Sequence, residues 1–437
     1  VGALAPRRPA DTPAFAAGVA AALIDKGVRC VVACGWAVED GPAHEFARRF
    51  YAELAGGARF IDAVAAAREA CWRLNPEGMT WAAYQCYGDP DWRFDPRSDK
   101  RAAAPAEDEF AAIASPVGLA LKLDTSITES RYMDYPPGPQ QERLRQLEAR
   151  FGERWGSIGA VAEAFGRAWE ATGDRKEAMR WLELAVQARD GSATMKARET
   201  LQNLRARSAW DAASRAAGAD PDAGGRDAAI DRLLAQALKG LAALVKDKAT
   251  VERCGLLGSA YKRQALIERR RGHHGNERAA LLAARAAYRE GVQCATEEAP
   301  DELFYPALNV MTLDLLLAGD TITPPLAAPE ALRSLEAARA SQQRKSETDP
   351  DFWSQACGIE LDIVDALAKR ELAARQPKLA QALEDLHRRV KSPGHWASVA
   401  DQADLLLGPF SERGPVAERA AALSLWKQLR GYAGRAD

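Results

Sequence analysis

Cys34 and His44, ten residues apart in VRCVVACGWAVEDGPAHEF, are the first pair in this chain whose types and spacing could do chemistry. A cysteine nucleophile needs an exposed seat at a strand end and a base within hydrogen-bond reach. Cys34 ends an apolar run, so the pair works only if the fold brings His44 back to it. Between them lie Trp36, Glu39 and Asp40. By themselves the acids could cap the helix that begins near Pro42, and the tryptophan could fill a core.

Other candidates are weaker. Cys30 and Cys34 flank three residues of an apolar run and have no partner pair downstream, so burial explains them better than a metal. His273-His274 sits in RRRGHHGNER, a polar turn between helices. The seven cysteines (30, 34, 71, 86, 254, 294 and 357) have no paired spacing, which fits reduced thiols in a cytoplasmic protein. No cofactor and no metal is implied.

The 437 residues carry 59 basic and 61 acidic side chains, a formal net charge of −2. That balance gives no electrostatic reason to expect nucleic acid or an anionic membrane as a partner. No uninterrupted apolar run approaches the ~18 residues of a membrane span. The opening VGALAPRRPADTP lacks the pattern of a signal peptide and has no initiator Met, which suggests a fragment or a processed product.

The chain divides by hydrophobic period. Residues 1–95 read as α/β. DTPAFAAGVAAALIDKG predicts a helix capped at Thr12 and stopped at Gly27. VRCVVAC predicts a central parallel strand, two helices follow, and TWAAYQCYGDPDWRF alternates like a strand. Two strands are too few for a stable sheet, so the rest is expected from sequence before Val1 or from a partner chain. Residues 96–145 read as a connector, and residues 146–437 as helical hairpins with a flexible break near 217–225. In AEAFGRAWEATGDRKEAMRWLELAVQARD the small residues Gly166, Ala178 and Ala185 let two antiparallel helices approach, while Trp169 and Trp181 fill the groove. That is the tetratricopeptide pattern. Leu257-Gly258 and Ala260-Tyr261 repeat it more weakly. Further helices are expected around 303–318, 328–342, 352–372, 376–391, 395–408 and 415–432. The fold class is therefore a partial α/β sheet layer followed by an all-α solenoid, mostly α overall. Stacked hairpins leave a concave surface for a protein partner.

Four ordered segments in residues 1–95 resemble the C-terminal part of a CHAT domain, the caspase- and separase-like cysteine peptidase family found beside tetratricopeptide repeats. They are FAAGVAAALIDKGVRCVVACGWAVED, AHEFARRFYAELAGG, FIDAVAAARE and WAAYQCYGDPDWRF. The resemblance implies a caspase-like sheet and acyl transfer to a Cys thiolate with His as base. It also implies a prokaryotic defence or signalling setting. It places that dyad before Val1, so no catalytic residue is expected in this chain, and Cys34 falls on the substrate-pocket strand. Trp36 would wall the cleft, and Asp40, beside Glu39, would accept a basic side chain of a peptide substrate. Tyr87 and Asp89 would belong to a structural turn. A non-catalytic scaffold on a degenerate CHAT fold is the alternative. A pure repeat binder leaves Val28 to Phe94 unexplained.

Overall fold

The computed structural model describes residues 12–36, 38–94, 110, 113–132, 136–215, 223–318, 329–348, 351–391 and 393–435. The chain forms two compact units, Val1–Ala197 and Arg198–Asp437.

The first unit begins with α1 (Thr12–Asp25), β1 (Cys30–Cys34), α2 (Asp40–Ala55), α3 (Phe60–Leu74), the single turn α4 (Thr80–Ala83) and β2 (Tyr84–Gly88). α1 stops where expected. Gly27 takes φ +92°, its N–H donates to Ile24 O and the N–H of Val28 to Leu23 O, a Schellman closure. β1 departs from expectation. It pairs antiparallel with β2, Cys30 opposite Gly88 and Cys34 opposite Tyr84. It is half-buried rather than an interior parallel strand, because the sheet among the described residues has two strands and each keeps an unpaired edge. The residues read as the start of the second strand, Thr80 to Ala83, are helical instead. Cys30, Val32 and Cys86 pack on a cluster of Phe46, Phe50, Leu54, Phe60, Val64, Cys71 and Tyr84 from α2, α3 and β2. α1, none of whose described side chains joins that cluster, packs against both strands.

The stretch expected as a connector holds α5 (Pro116–Tyr132) and the first half of α6 (Pro137–Trp155). α5 packs on α1, with Gly18 so near Thr128 that a Cβ there would lie 2.6 Å from the hydroxyl oxygen. α7 (Gly159–Ala171) and α8 (Arg175–Gln187) form the expected hairpin. A Cβ on Gly166 would meet Leu182 at 2.6 Å, Ala178 and Ala185 are buried, and Phe165 stacks on Trp181 at 4.3 Å. Asp174 caps α8 by accepting from the Glu177 N–H.

α9 (Met195–Arg215) lies almost wholly in the second unit. It is followed by α10 (Ala223–Asp247), α11 (Val251–Arg270), α12 (His274–Glu298), α13 (Phe304–Ala318), α14 (Pro329–Thr348), α15 (Phe352–Lys369), α16 (Leu372–Arg389), α17 (Pro393–Arg413) and α18 (Val416–Tyr432). Of the break expected near 217–225, residues 217–222 lie outside the described residues, and 223–225 open α10. Gly258 repeats the role of Gly166: the Tyr288 ring lies 2.5 Å from where its Cβ would be. α15 ends earlier than expected. Arg370 adopts the left-handed conformation (φ 58°) and closes the helix without a glycine, so no residue type marked the stop. Pro377 consequently sits inside α16.

Two opposite charges share the interior of this unit. Lys262 donates to Asn309 Oδ1 and Gln402 Oε1, each at 2.6 Å. Burial pulls its ammonium down to about 8, against the field of Glu360. Glu360 lines a cavity of about 20 Å3 between α13, α15, α17 and α18, room for one water-sized group. Burial pushes its carboxyl up to about 7, with Lys262 opposing.

Two outcomes follow. Gly258→Ala should lower the free energy of unfolding by about 1–3 kcal/mol, because the enclosed Tyr288 ring cannot retreat. A urea titration with an unchanged midpoint would contradict that. For Glu360, a carboxyl raised in the folded state contributes stability below its ordinary value of 4.5. That contribution is lost as pH rises through about 7. Glu360→Gln mimics the protonated form, so its thermal midpoint should match the parent near about pH 4.5 and exceed it increasingly towards about pH 8.

Candidate functional site

The segment from Cys34 to Asp40 leaves the end of β1 and enters α2, and backbone bonds fix it at both ends. The Gly35 N–H donates to Ala83 O at 2.8 Å, and the Glu39 N–H donates to Thr80 Oγ1 at 3.1 Å. Gly35 lies against the Gln85 side chain: a Cβ would lie 2.6 Å from Gln85 Nε2, so that amide would have to move aside. The loop therefore rests on α4 and the start of β2, which explains why Thr80 to Ala83 form a turn of helix rather than more strand.

The two acids differ in what they touch. Glu39 occupies the N-cap of α2, yet its carboxylate makes no cap bond. It accepts from Asn75 Nδ2 at 3.1 and 3.3 Å instead, while Asn75 Oδ1 accepts from the Gly78 N–H. Glu39 is thus spent on tying the start of α2 to the turn between α3 and α4. Asp40 stands in the first turn of α2, exposed, where a negative charge complements the helix N-terminus. It accepts no hydrogen bond and joins no ion pair among the described residues. Trp36 is 43 % exposed, so it is not a core filler. Trp72, Leu74 and Met79, flanking the turn that Asn75 holds, are exposed as well. Asn75 and Thr80 were missed from sequence, because they lie 36 and 41 positions from Glu39 and no local pattern links them to it.

Cys34 and His44 are not brought together. Cys34 is exposed at the strand end opposite Tyr84, and burial of its thiol pushes its pKa above the ordinary value. His44 points to solvent from α2 and makes no hydrogen bond to Cys34 among the described residues. A protonated thiol without a base in reach is not an activated nucleophile. Cys30 donates weakly to Asp89 O, and all seven cysteines are free thiols. Among the described residues no cluster of three or more His, Cys, Asp or Glu could hold a metal ion.

The closing turn after β2 is built by its backbone. Gly88 takes φ +112° directly against the Arg29 carbonyl, a place no side chain could enter. The Asp89 N–H donates to Arg29 O, and Asp89 Oδ1 accepts from the Asp91 N–H. Tyr87 donates to Gln85 Oε1 at 2.5 Å. The His273-His274 turn is likewise hydrogen-bonded: His273 Nδ1 lies 2.9 Å from Glu268, which also accepts from Asn276. No helix among the described residues is long and apolar enough to cross a membrane.

Comparison with known families agrees with this architecture. Residues 9–89 match the CHAT domain, spanning α1 to the turn after β2. Residues 174–314 match the Tetratricopeptide Repeats-Sensor family, from the cap of α8 into α13. No curated protein matches the chain. The chain thus carries a segment similar to a CHAT domain, followed by one similar to the tetratricopeptide sensor repeats.

Proposed function

We propose that residues 28–94 are the substrate side of a CHAT-type cysteine endopeptidase, and that the helical hairpins are its protein-binding, regulatory region. The observation that carries this reading is the pairing of an unsatisfied sheet with an unspent acid. Among the described residues β1 and β2 each keep a free edge, and Asp40, at the start of α2, has no partner while Glu39 is tied down. Exposed Trp36 would lie along an extended peptide, and Asp40 would hold the Arg or Lys before the scissile bond. The nucleophile and its base would come from strands that complete the sheet outside residues 1–437. His would take the thiol proton and the thiolate would attack the peptide carbonyl; the C–N bond would break as His gives the proton to the leaving amine, and water would then hydrolyse the thioester.

The alternative, a scaffold that has lost its dyad, keeps the same binding surfaces and no turnover. The 437-residue chain alone should cleave nothing. Activity there that Cys34→Ala abolishes would move the nucleophile to Cys34. In a longer protein carrying the completed sheet, Asp40→Asn should cut kcat/KM for peptides with Arg or Lys before the cleaved bond by about tenfold to a hundredfold. Its stability should change far less, by no more than about 0.3–1 kcal/mol, because folding uses Asp40 only for its charge at the N-terminus of α2. Glu39→Ala should do the reverse and destabilise the domain by about 1 kcal/mol. Equal cleavage by Asp40→Asn and parent would remove Asp40 from the pocket.

A further inference from the structure

Successive side chains of β2 alternate between the two faces of the sheet. Tyr84 and Cys86 pack on the aromatic cluster of α2 and α3. Gln85 and Tyr87 therefore share the opposite face, the side on which α1 packs against both strands. There Tyr87 Oη donates to Gln85 Oε1 at 2.5 Å. That bond takes the carbonyl end of the amide and turns Nε2 towards the loop after β1. Nε2 lies 2.6 Å from where a Cβ of Gly35 would be, so the amide fills the space that the glycine leaves. Gly35 is itself fixed, its N–H donating to Ala83 O at 2.8 Å.

The nitrogen so placed has no acceptor among the described residues. Gln85 accepts from Tyr87, makes no other side-chain hydrogen bond there, and is half-buried rather than enclosed. Sheltering a polar group without a partner costs free energy, so an oriented and unused donor calls for an acceptor from elsewhere. A carboxamide nitrogen offers two N–H groups and accepts nothing. It cannot serve the cationic tip of Arg or Lys, which is also a donor. A carbonyl oxygen suits it. Gly35 stands directly before Trp36 and five residues before Asp40. An extended peptide lying along Trp36 would carry its own backbone carbonyls past the Gln85 amide.

We propose that Gln85 is a positioning residue for the bound peptide. Its Nε2, oriented by Tyr87, donates to a main-chain carbonyl of the extended segment whose basic side chain sits on Asp40. This rests on the substrate-side reading above and adds a contact that reads the peptide backbone rather than a side chain. Asp40 selects the residue, and Gln85 sets its register along the cleft. A residue larger than glycine at position 35 would push the amide out of that place.

The test is binding of a labelled peptide whose Arg precedes a reduced, uncleavable bond, read by fluorescence anisotropy on the longer protein with the completed sheet. Gln85→Met keeps the side-chain length, removes both donors and should weaken binding about threefold to tenfold. Tyr87→Phe leaves the amide free to turn and should weaken it about twofold. Replacing one particular peptide carbonyl by an alkene isostere should cost the parent the same factor as Gln85→Met, and cost that variant nothing further. A merely structural role for Gln85 would not produce that coupling. Unchanged binding by Gln85→Met would overturn the proposal. So would isosteres that weaken parent and variant alike at every carbonyl. Binding weakened by Asp40→Asn but not by Gln85→Met would overturn this inference alone, whereas a parent that binds no such peptide would overturn the substrate-side reading with it.

Discussion

Two antiparallel helices can share one wall only as closely as their smallest facing residues allow, and the helical part of this protein is built on that limit. At Gly166 the missing side chain is replaced by Leu182, and at Gly258 by the ring of Tyr288. Each glycine weakens its own helix slightly, a cost set against dense contact between partners. Trp169, Phe165 and Tyr288 then become almost wholly enclosed. These two hairpins are closed this way from within, and their helices differ in length.

The α/β part follows another constraint. A strand satisfies its backbone only through neighbours, and among the described residues β1 and β2 have one neighbour each. Helices α2 and α3 nevertheless bury a full aromatic cluster against one face, in which Tyr84 stacks on Phe46 at 3.5 Å. That cluster, together with the Glu39–Asn75 and Glu39–Thr80 bonds, holds the loop after β1 in one shape. Glu39 and Thr80 thus fix the loop, while Asp40 and Trp36 stay exposed.

Charge inside the second unit has a comparable division. Asp401 is buried, yet its carboxyl stays below its ordinary value, because Arg263 and Arg435 outweigh the penalty of burial. Glu360 has no such company and its carboxyl rises instead. Removing one partner from a satisfied buried network leaves an uncompensated charge, so such networks select one arrangement more than they add stability.

How far the sequence reached can be judged residue by residue. Hydrophobic period and small-residue spacing placed the α7–α8 hairpin, the close approach at Gly258 and the stop at Gly27, because each is a local signal within one or two turns. The order of four segments was enough for the CHAT resemblance. What it missed lay in pairings between distant positions. The antiparallel partner of β1, the helical turn at Thr80 and the roles of Asn75 and Thr80 all depend on neighbours far along the chain, while the stop at Arg370 is a local closure that no glycine announces. The same holds for the difference between Glu39 and Asp40. Adjacent and chemically alike, they are distinguished only by the fold, which brings an amide 36 residues away to one carboxylate and leaves the other in water.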